Sequence, residues 1–317
     1  MPDLSVVVVN YNTREATSAC LRSVLEAAPS VDLELIVVDN GSVDGSVPAF
    51  RKCFPEVDTI EAGENLGFAR GVNLGVRAAT GTWVLLLNPD TITLPGSLQA
   101  LLRFAADHPE YGVFGGRTLR PDGTVDPSSC WGAPSLWSLT MFATMLSTVF
   151  KRSPIFDPES LGAWQRDSVR EVPIVTGCLL LISRSEWDRL GGMDEDYFLY
   201  GEDAEFSMRA GRAGLRRVVV PDAVIVHDVG GSSDAGGAKG CMVMAGKVTH
   251  LRKTWPPRRA TLGIRLLIAG VGVRAALEAL TRRARAPWST VWRRRRDWAD
   301  GYPAAEATLF GRELADA

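Results

Sequence analysis

Acidic and amide side chains follow several apolar runs of this 317-residue chain. VVVDNGSVDGS places Asp39 after one run, and LLLNPDT places Asn88 and Asp90 after another, two positions apart. Alternate side chains of an extended segment point the same way, so Asn88 and Asp90 can face one ligand. A divalent cation bridging a diphosphate needs only one or two protein carboxylates, because phosphate oxygens and water complete its octahedron. The pair indicates such a site, although an ordinary turn after a strand would also use these residues.

Asp203, His227 and Asp39 have types that suit catalysis or recognition. Asp203, which follows Glu202 in GEDAEFSMR, opens a predicted helix, where a carboxylate either caps the helix or acts as a general base on an acceptor hydroxyl. His227, in VIVHDVGG, lies at a predicted strand end; beside a carboxylate metal site, ligation is favoured over a structural role. Asp39 either forms an Asx turn or accepts from the imide N–H of uracil or thymine.

The first part of the chain alternates β-branched runs with helical patterns. Strands are predicted near residues 5–9, 33–38, 59–62 and 83–87, and helices at 13–28 and within 65–79. This order predicts an α/β fold with a doubly wound, mostly parallel sheet. Ligands of such sheets bind beyond the carboxyl ends of the strands, where Asn10, Tyr11, Asp39, Asn88 and Asp90 lie.

The second half is less regular. A hairpin is predicted at residues 121–129, helices at 136–150, 185–190 and 203–213, and strands at 171–182 and 216–220. Residues 229–246 contain six glycines and are predicted to form a loop that acts as a lid over bound ligand.

Several enzyme classes are excluded by missing motifs. The first strand-to-helix turn, NYNTREA, has no glycine, so a dinucleotide-binding fingerprint is absent. There is no GxxxxGK[ST] loop and no GxSxG elbow. The five cysteines have no CxxC spacing, which favours reduced thiols over a disulfide framework or a zinc site.

The charge is divided unevenly along the chain. Residues 247–296 carry a net charge of +13 and the remainder −15. The basic segment combines an apolar helical stretch with Trp288, Trp292 and Trp298, which favours an anionic membrane surface over nucleic acid. A solvated helix that packs on the acidic body or on a second subunit is the alternative. The stretch 261–280 is interrupted by charges, and no signal peptide is expected.

Together, these motifs resemble the GT-A-fold glycosyltransferases of family 2 across residues 4–233, about 70% of the chain. Within that family the chain is most similar to bacterial rhamnosyltransferases that use dTDP-rhamnose. The matching segments, in the family's order, are VVVVNYN, VDNGSVDGS, ENLGFARGVNLG, LLLNPDT, GCLLLISRSEWDRLGGMDEDYFLYGEDAEFSMR and IVHDVGGSS.

The resemblance implies a nucleotide-sugar site in the first half of the chain. Tyr11 and Asp39 would hold the pyrimidine, with Asn10 beside them at the end of the first strand. Asn65 and Arg70 would assist at the nucleotide. The implied organisation is a glycosyltransferase domain at 1–246, divided into a nucleotide-sugar half (1–110) and an acceptor half (111–246), followed by a basic amphipathic helical tail at 247–317.

The resemblance also implies the catalytic and metal residues. Asn88 and Asp90 occupy the position of the family's DxD motif, with Asp90 binding Mg²⁺ or Mn²⁺ and Asn88 facing the ribose. Asn at the first position leaves this site with one charge fewer. His227 matches a further metal ligand, Asp203 matches the catalytic base, and Glu202 would position it.

The function that follows is inverting, metal-dependent transfer of a sugar to a hydroxyl in cell-envelope polysaccharide synthesis. We expect L-rhamnose from dTDP-β-L-rhamnose and a glycan or polyprenyl-diphosphate-linked acceptor. The expected location is cytoplasmic, on the inner face of the plasma membrane, with a homodimer possible and no nucleic-acid partner. The alternatives are another sugar such as galactofuranose from a UDP donor, a nucleotidyltransferase, and a non-catalytic sugar-binding protein of the same fold.

Overall fold

The computed structural model describes residues 2–227, 237–281 and 287–310. They form two compact units. Unit 1 contains the described residues within 1–131, 165–194 and 203–232, and unit 2 those within 132–164, 195–202 and 233–317.

The described part of unit 1 contains all the strands that the structure shows. They are β1 (Leu4–Asn10), β2 (Leu33–Asp39), β3 (Asp58–Glu61), β4 (Trp83–Leu87), β5 (Thr91–Thr93), β6 (Tyr111–Leu119), β7 (Cys130–Trp131), β8 (Arg170–Glu171), β9 (Ile174–Val175), β10 (Leu179–Ser183) and β11 (Arg216–His227). Nine of them form one sheet in the order β3-β2-β1-β4-β10-β6-β11-β5, with β8 on β11, while β7 and β9 pair separately.

The helices follow the same chain order. They are α1 (Arg14–Ala27), α2 (Ser46–Cys53), α3 (Phe68–Ala78), α4 (Ser97–Asp107), α5 (Leu136–Ala143), α6 (Leu146–Val149), α7 (Arg184–Leu190), α8 (Glu202–Arg212), α9 (Gly237–Thr254), α10 (Pro257–Thr281), α11 (Pro287–Arg293), α12 (Arg295–Trp298) and α13 (Ala304–Phe310).

The parallel half of the sheet confirms the predicted α/β class. β1 pairs in parallel with both β2 and β4, and β2 pairs in parallel with β3. Every residue of β1 is buried, as its continuous apolar run requires of a central strand. Helix α3 lies close to these strands because Gly75 has no side chain: a Cβ there would overlap Val7 on β1.

The prediction of one strand at residues 171–182 is wrong. This segment contains three short strands that pair with different neighbours: β8 with β11, β9 with β7, and β10 with β4 and β6. Pro173 separates the first two strands, and it has no N–H to continue a ladder. The opposite error occurs at residues 216–220, since β11 continues past a bulge between Val220 and Val224 and ends at His227.

Two other predicted elements also differ from those in the structure. The predicted helix at 136–150 is divided into α5 and α6 by Met145, whose φ is +65°. In the predicted glycine-rich lid, residues 229–236 lie outside the described residues, whereas 237–246 form the first half of α9. One of its glycines, Gly246, lets the helix pack closely against Tyr200, because a Cβ there would overlap the carbonyl oxygen of that residue. The lid prediction is therefore wrong for residues 237–246.

Unit 2 is a helical assembly with its own apolar core. Its buried side chains come from α9, α10, α11 and the segment that follows, and include Val248, Leu267, Val271, Val291 and Trp298. Part of the basic C-terminal segment therefore supplies the core of this unit. Helix α10 has exposed apolar residues. By length and composition it is long and apolar enough to cross a bilayer, and 39% of its apolar 18-residue stretch is buried inside the protein.

Candidate active site

The end of β1 supports the neighbouring carboxylate of β2. Asn10 and Asp39 are paired in the parallel register, and Asn10 Nδ2 donates to Asp39 Oδ1 at 2.7 Å. Asn10 is fully buried; its Nδ2 also donates to Ser42 Oγ, and its Oδ1 accepts from the hydroxyls of Thr13 and Thr17. The side chain of Asn10 thus points into the protein and fixes Asp39.

Asp39 forms the Asx turn, one of its two predicted roles. Its Oδ2 accepts from the backbone N–H of Ser42 at 2.9 Å, so the Asx turn is present. The carboxylate is nevertheless at a strand end, and Tyr11, the residue after Asn10, is 47% exposed. An exposed ring that follows the end of β1 provides a surface on which a planar base can stack.

The segment before α3 is tied to the same edge of the sheet. Asn40 Nδ2 donates to the carbonyl of Gly67 at 2.9 Å, and Asn65 Oδ1 accepts from the N–H of Gly67 at 3.1 Å. Helix α3 begins at Phe68, so Arg70 lies in its first turn, where it is half-buried. These bonds position Asn65 and Arg70 beside the loop that follows β2.

The turn after β4 brings Asp90 to His227. The carbonyl of Asn88 accepts from Thr91 Oγ1 at 2.7 Å, which closes the turn before β5. Because β5 pairs with β11, Thr91 lies opposite His227. As a result, Asp90 Oδ1 and His227 Nε2 are 3.1 Å apart, and both side chains are largely buried.

A second carboxylate lies on the other side of the imidazole. Asp126 Oδ2 is 3.8 Å from His227 Nδ1, and neither atom has a hydrogen-bond partner among the residues that the structure describes. Burial disfavours the charge on the ring, but Asp126 and Asp90 outweigh it and raise the pKa of His227 to about 9. Sequence reasoning missed Asp126, since a DP pair in a turn has many structural uses and only the sheet brings it to the histidine.

These residues fit a divalent cation. Asp90 offers an oxygen and His227 a ring nitrogen, ligands that Mn²⁺ and Mg²⁺ accept alongside phosphate oxygens and water. Within the described residues, no group of three or more His, Cys, Asp or Glu side chains could hold a metal. The pair would thus leave most coordination positions to a diphosphate and water. The position of Nδ1, 3.8 Å from the Asp126 carboxylate, also fits a ligating histidine, whose second nitrogen is normally oriented by a carboxylate.

Asp203 lies near the same strands. Its Oδ2 accepts from the N–H of Gly177 at 3.3 Å and its Oδ1 from the N–H of Ala204 at 2.7 Å. The carbonyl of Cys178, the residue after Gly177, accepts from the N–H of Asn88. Burial raises the pKa of Asp203, although these backbone N–H groups act against the shift. A carboxylate with a raised pKa is suited to accept a proton.

Burial first, and then the charges of Asp203 and Asp126, raise the pKa of the Cys178 thiol to about 12. In unit 1, His227 lies 3.1 Å from Asp90 and 3.8 Å from Asp126, and Asp203 is hydrogen-bonded to Gly177, the residue before Cys178. Glu202, at the first position of α8, is buried and belongs to unit 2.

Comparison with known proteins identifies the family. The family described as "Glycosyl transferase family 2" matches residues 5–169. An N-acetylglucosaminyl-diphospho-decaprenol L-rhamnosyltransferase from Mycobacterium tuberculosis is 35% identical over 238 residues, which cover 71% of this chain and 75% of that protein.

Two solved structures share the fold. A mannosyltransferase from Pyrobaculum calidifontis, in complex with GDP-Man and Mn²⁺, is 20% identical, with a TM-score of 0.57 over 98% of this chain and 88% of that one. TarS from S. aureus is 16% identical, with a TM-score of 0.51 over 85% of this chain and 43% of that one. Their sheets and that of unit 1 have the GT-A architecture. This chain therefore belongs to glycosyl transferase family 2 and is a glycosyltransferase of the hexosyltransferase class.

Proposed function

We propose that this enzyme is an inverting, metal-dependent rhamnosyltransferase that transfers L-rhamnose from dTDP-β-L-rhamnose to a hydroxyl of a polyprenyl-diphosphate-linked glycan. The observation that carries the metal-dependent reaction is the Asp90–His227 pair at the ends of β4 and β11. The choice of rhamnose and of a lipid-linked acceptor is supported by the 35% identical relative, whose name states both.

The donor would bind at the edge formed by β1, β2 and α3. Asp39, held by Asn10, would accept from the imide N–H of the thymine, and the exposed ring of Tyr11 would stack on the base. Asn65 and Arg70 would contact the nucleotide from the start of α3, where an anion is also favoured by the helix N-terminus. Asn88 would face the ribose.

Asp90 and His227 would hold the cation against the diphosphate. When bound, Mg²⁺ or Mn²⁺ would neutralise the charge that develops on the departing nucleoside diphosphate. Asp90 contributes the negative charge of this pair. The 3.1 Å separation of the two side chains is short for a pair that shares a cation, so we expect their ligand atoms to separate slightly on binding.

Asp203 would remove the proton from the acceptor hydroxyl as the oxygen attacks the anomeric carbon from the face opposite the diphosphate. The C–O bond to the acceptor forms while the C–O bond to the diphosphate breaks, so the anomeric configuration inverts without a covalent enzyme intermediate. The N–H groups of Gly177 and Ala204 hold the carboxylate in one orientation. Glu202 would support the position of α8.

The exposed face of α10 would contact the membrane that contains the acceptor. Residues along this face are exposed at helical spacing and include no acid: Arg258, Leu262, Arg265, Val273, Leu277 and Leu280. The helix contains a single acid, Glu278, which accepts from the N–H groups of Trp288 and Ser289. Because the opposite face of α10 supplies the core of unit 2, a position along the membrane surface suits it better than a span.

A panel of sugar nucleotides tests the proposal. The purified protein would be tested for transfer to a synthetic GlcNAc-diphospho-polyprenol from dTDP-rhamnose, UDP-galactofuranose and GDP-mannose, with Mn²⁺, with Mg²⁺ and with EDTA. We expect turnover with dTDP-rhamnose that EDTA abolishes and a product of inverted configuration. Turnover only with UDP-galactofuranose would change the donor, and full activity in EDTA would overturn the metal-dependent mechanism.

A further inference from the structure

His227 lies between two strands that each deliver an aspartate. β11 ends at His227; on one side it pairs with β5, which follows Asp90, and on the other with β6, which leads into the hairpin containing Asp126. The hairpin is closed by the Leu119–Val125 bridge. The imidazole thus has Asp90 at Nε2, 3.1 Å away, and Asp126 at Nδ1, 3.8 Å away.

The backbone and one oxygen of Asp126 are fixed by other groups. Its N–H donates to the carbonyl of Thr118 at 2.9 Å, and its Oδ1 accepts from the N–H of Ser128 at 3.0 Å. Thr176 Oγ1 donates to the carbonyl of Ser128 at 2.9 Å, which ties this turn to the segment before β10. Asp126 Oδ1 therefore caps the turn, and this hydrogen bond also fixes the direction in which Oδ2 points.

The second oxygen faces the histidine. Asp126 Oδ2 and His227 Nδ1 are both buried, neither has a hydrogen-bond partner among the described residues, and they lie 3.8 Å apart. A turn cap needs only Oδ1. Because Oδ2 lies 3.8 Å from an imidazole nitrogen that has no other partner within the described part of the chain, the side chain has room for a second role.

We propose that Asp126 is a positioning residue, whose Oδ2 accepts from His227 Nδ1–H and so holds Nε2 toward the cation at Asp90. This inference rests on the proposed metal site. A carboxylate behind a ligating histidine fixes its tautomer and ring orientation and makes the ligating nitrogen more basic, and its loss typically costs about 10–100-fold in metal affinity.

Asp126→Asn separates this role from the structural one. Asn also caps turns and helices, and it has one carbonyl oxygen, which would remain on the N–H of Ser128. Its amide NH₂ would then face His227 Nδ1, where it can donate but cannot accept. Asp126→Ser is a second variant that keeps a capping oxygen and is too short to reach the ring. Asp122→Asn, at an exposed position in the same hairpin, is the matched control.

The experiment measures Mn²⁺ binding in the presence of dTDP, by the electron paramagnetic resonance signal of the free ion, together with spin-echo modulation from imidazole nitrogen. The wild type and Asp122→Asn should bind Mn²⁺ and show nitrogen modulation. Asp126→Asn and Asp126→Ser should bind Mn²⁺ about 10–100-fold more weakly and show reduced modulation, with circular dichroism unchanged.

Two outcomes would overturn the inference in distinguishable ways. If His227→Ala loses affinity and modulation while both Asp126 variants match the wild type, Asp126 does not position the histidine, and the metal site stands. If His227→Ala binds Mn²⁺ like the wild type, without any nitrogen modulation in either protein, the metal site itself is wrong, and the role of Asp126 fails with it.

Discussion

Asp90 and His227 lie 3.1 Å apart although they are 137 positions apart in the sequence. The contact exists because β11 continues beyond its bulge and pairs with β5, which places His227 opposite Thr91. A strand that ended at Val220 would leave the histidine in a loop. The length of β11 therefore decides whether the two side chains can share a cation.

Asp90→Ala should abolish divalent-dependent binding of dTDP-rhamnose, because it removes the proposed charged ligand. The substitution also removes a partner of the largely buried His227, so the thermal unfolding midpoint should fall, but the apolar core is unchanged and the protein should remain folded. Calorimetry with Mn²⁺ and with EDTA measures the effect, and Asp107→Ala, at the exposed end of α4, is the control. Donor affinity equal to the wild type, and indifferent to EDTA, would contradict the assignment of Asp90.

Asp203→Asn should separate binding from chemistry. Asn can still accept one of the two backbone hydrogen bonds from Gly177 and Ala204 but cannot take the proton of the acceptor, and loss of a general base costs about 10²–10⁴-fold in rate. Donor affinity should stay near that of the wild type. Glu202→Gln should be milder because its role is positional. Activity that survives in Asp203→Asn but fails in Glu202→Gln would move the base to Glu202.

The raised pKa of Asp203 predicts the acid side of the pH–rate profile. The base must be ionised, so kcat should fall as the pH decreases through a pKa above the ordinary carboxyl value of about 3.9. This decrease should be absent from the residual activity of Asp203→Asn. An identical acid limb in both proteins would assign it to another group.

The raised pKa of Asp203 also makes the stability of the fold depend on pH. A carboxyl whose pKa is higher in the folded than in the unfolded protein stabilises the fold at low pH and loses that contribution as the pH rises through the folded-state pKa. Above its folded-state pKa, the ionised Asp203 therefore opposes folding. Asp203→Asn should unfold at the same or a higher temperature than the wild type at pH 7, measured by calorimetry. A marked loss of stability there would indicate a structural role for the carboxylate.

The exposed face of α10 predicts membrane binding that point substitutions can remove. Leu277→Glu with Leu280→Glu should reduce binding to anionic vesicles about tenfold or more, because two apolar contacts are lost and two like charges are introduced. Deleting the segment would be a poorer test, since Leu267 and Trp298 belong to the core of unit 2.

Vesicle flotation with a control variant, Val169→Glu, measures this effect. Val169 is exposed in unit 1, and its substitution should leave flotation unchanged. If the wild type does not bind vesicles but elutes as a dimer that the α10 variant converts to a monomer, the face binds a second copy of the chain instead.

Arg274 predicts a stability effect in unit 2. Its buried guanidinium donates to the carbonyls of Phe142 and Gly270 and lies 3.7 Å from the centre of the Phe142 ring. Burial lowers the pKa of Arg274 to about 10. Arg274→Met should cost about 2–4 kcal/mol, because the carbonyl of Phe142 loses a charged donor. Urea unfolding measures this loss, with Arg265→Met on the exposed face of the same helix expected within about 0.5 kcal/mol of the wild type.

The sequence by itself determined the first half of the fold. Continuous β-branched runs such as β1 must be covered on both faces, and helices of the right length between them force parallel pairing. That pairing places Asp39 and Asp90 near the carboxyl ends of strands, so a candidate nucleotide edge follows from local pattern alone.

Only the tertiary structure decided which partners the later strands have and what they bring together. Pro173 marks one break within residues 171–182 in the sequence, but the neighbours available on each side decide that the three pieces pair with different strands. Asp126 has no local pattern that distinguishes a turn cap from a contact with His227. Its role depends on the pairing of β6 with β11, because a side chain's environment in a sheet is set by its neighbours across strands, which chain order does not specify.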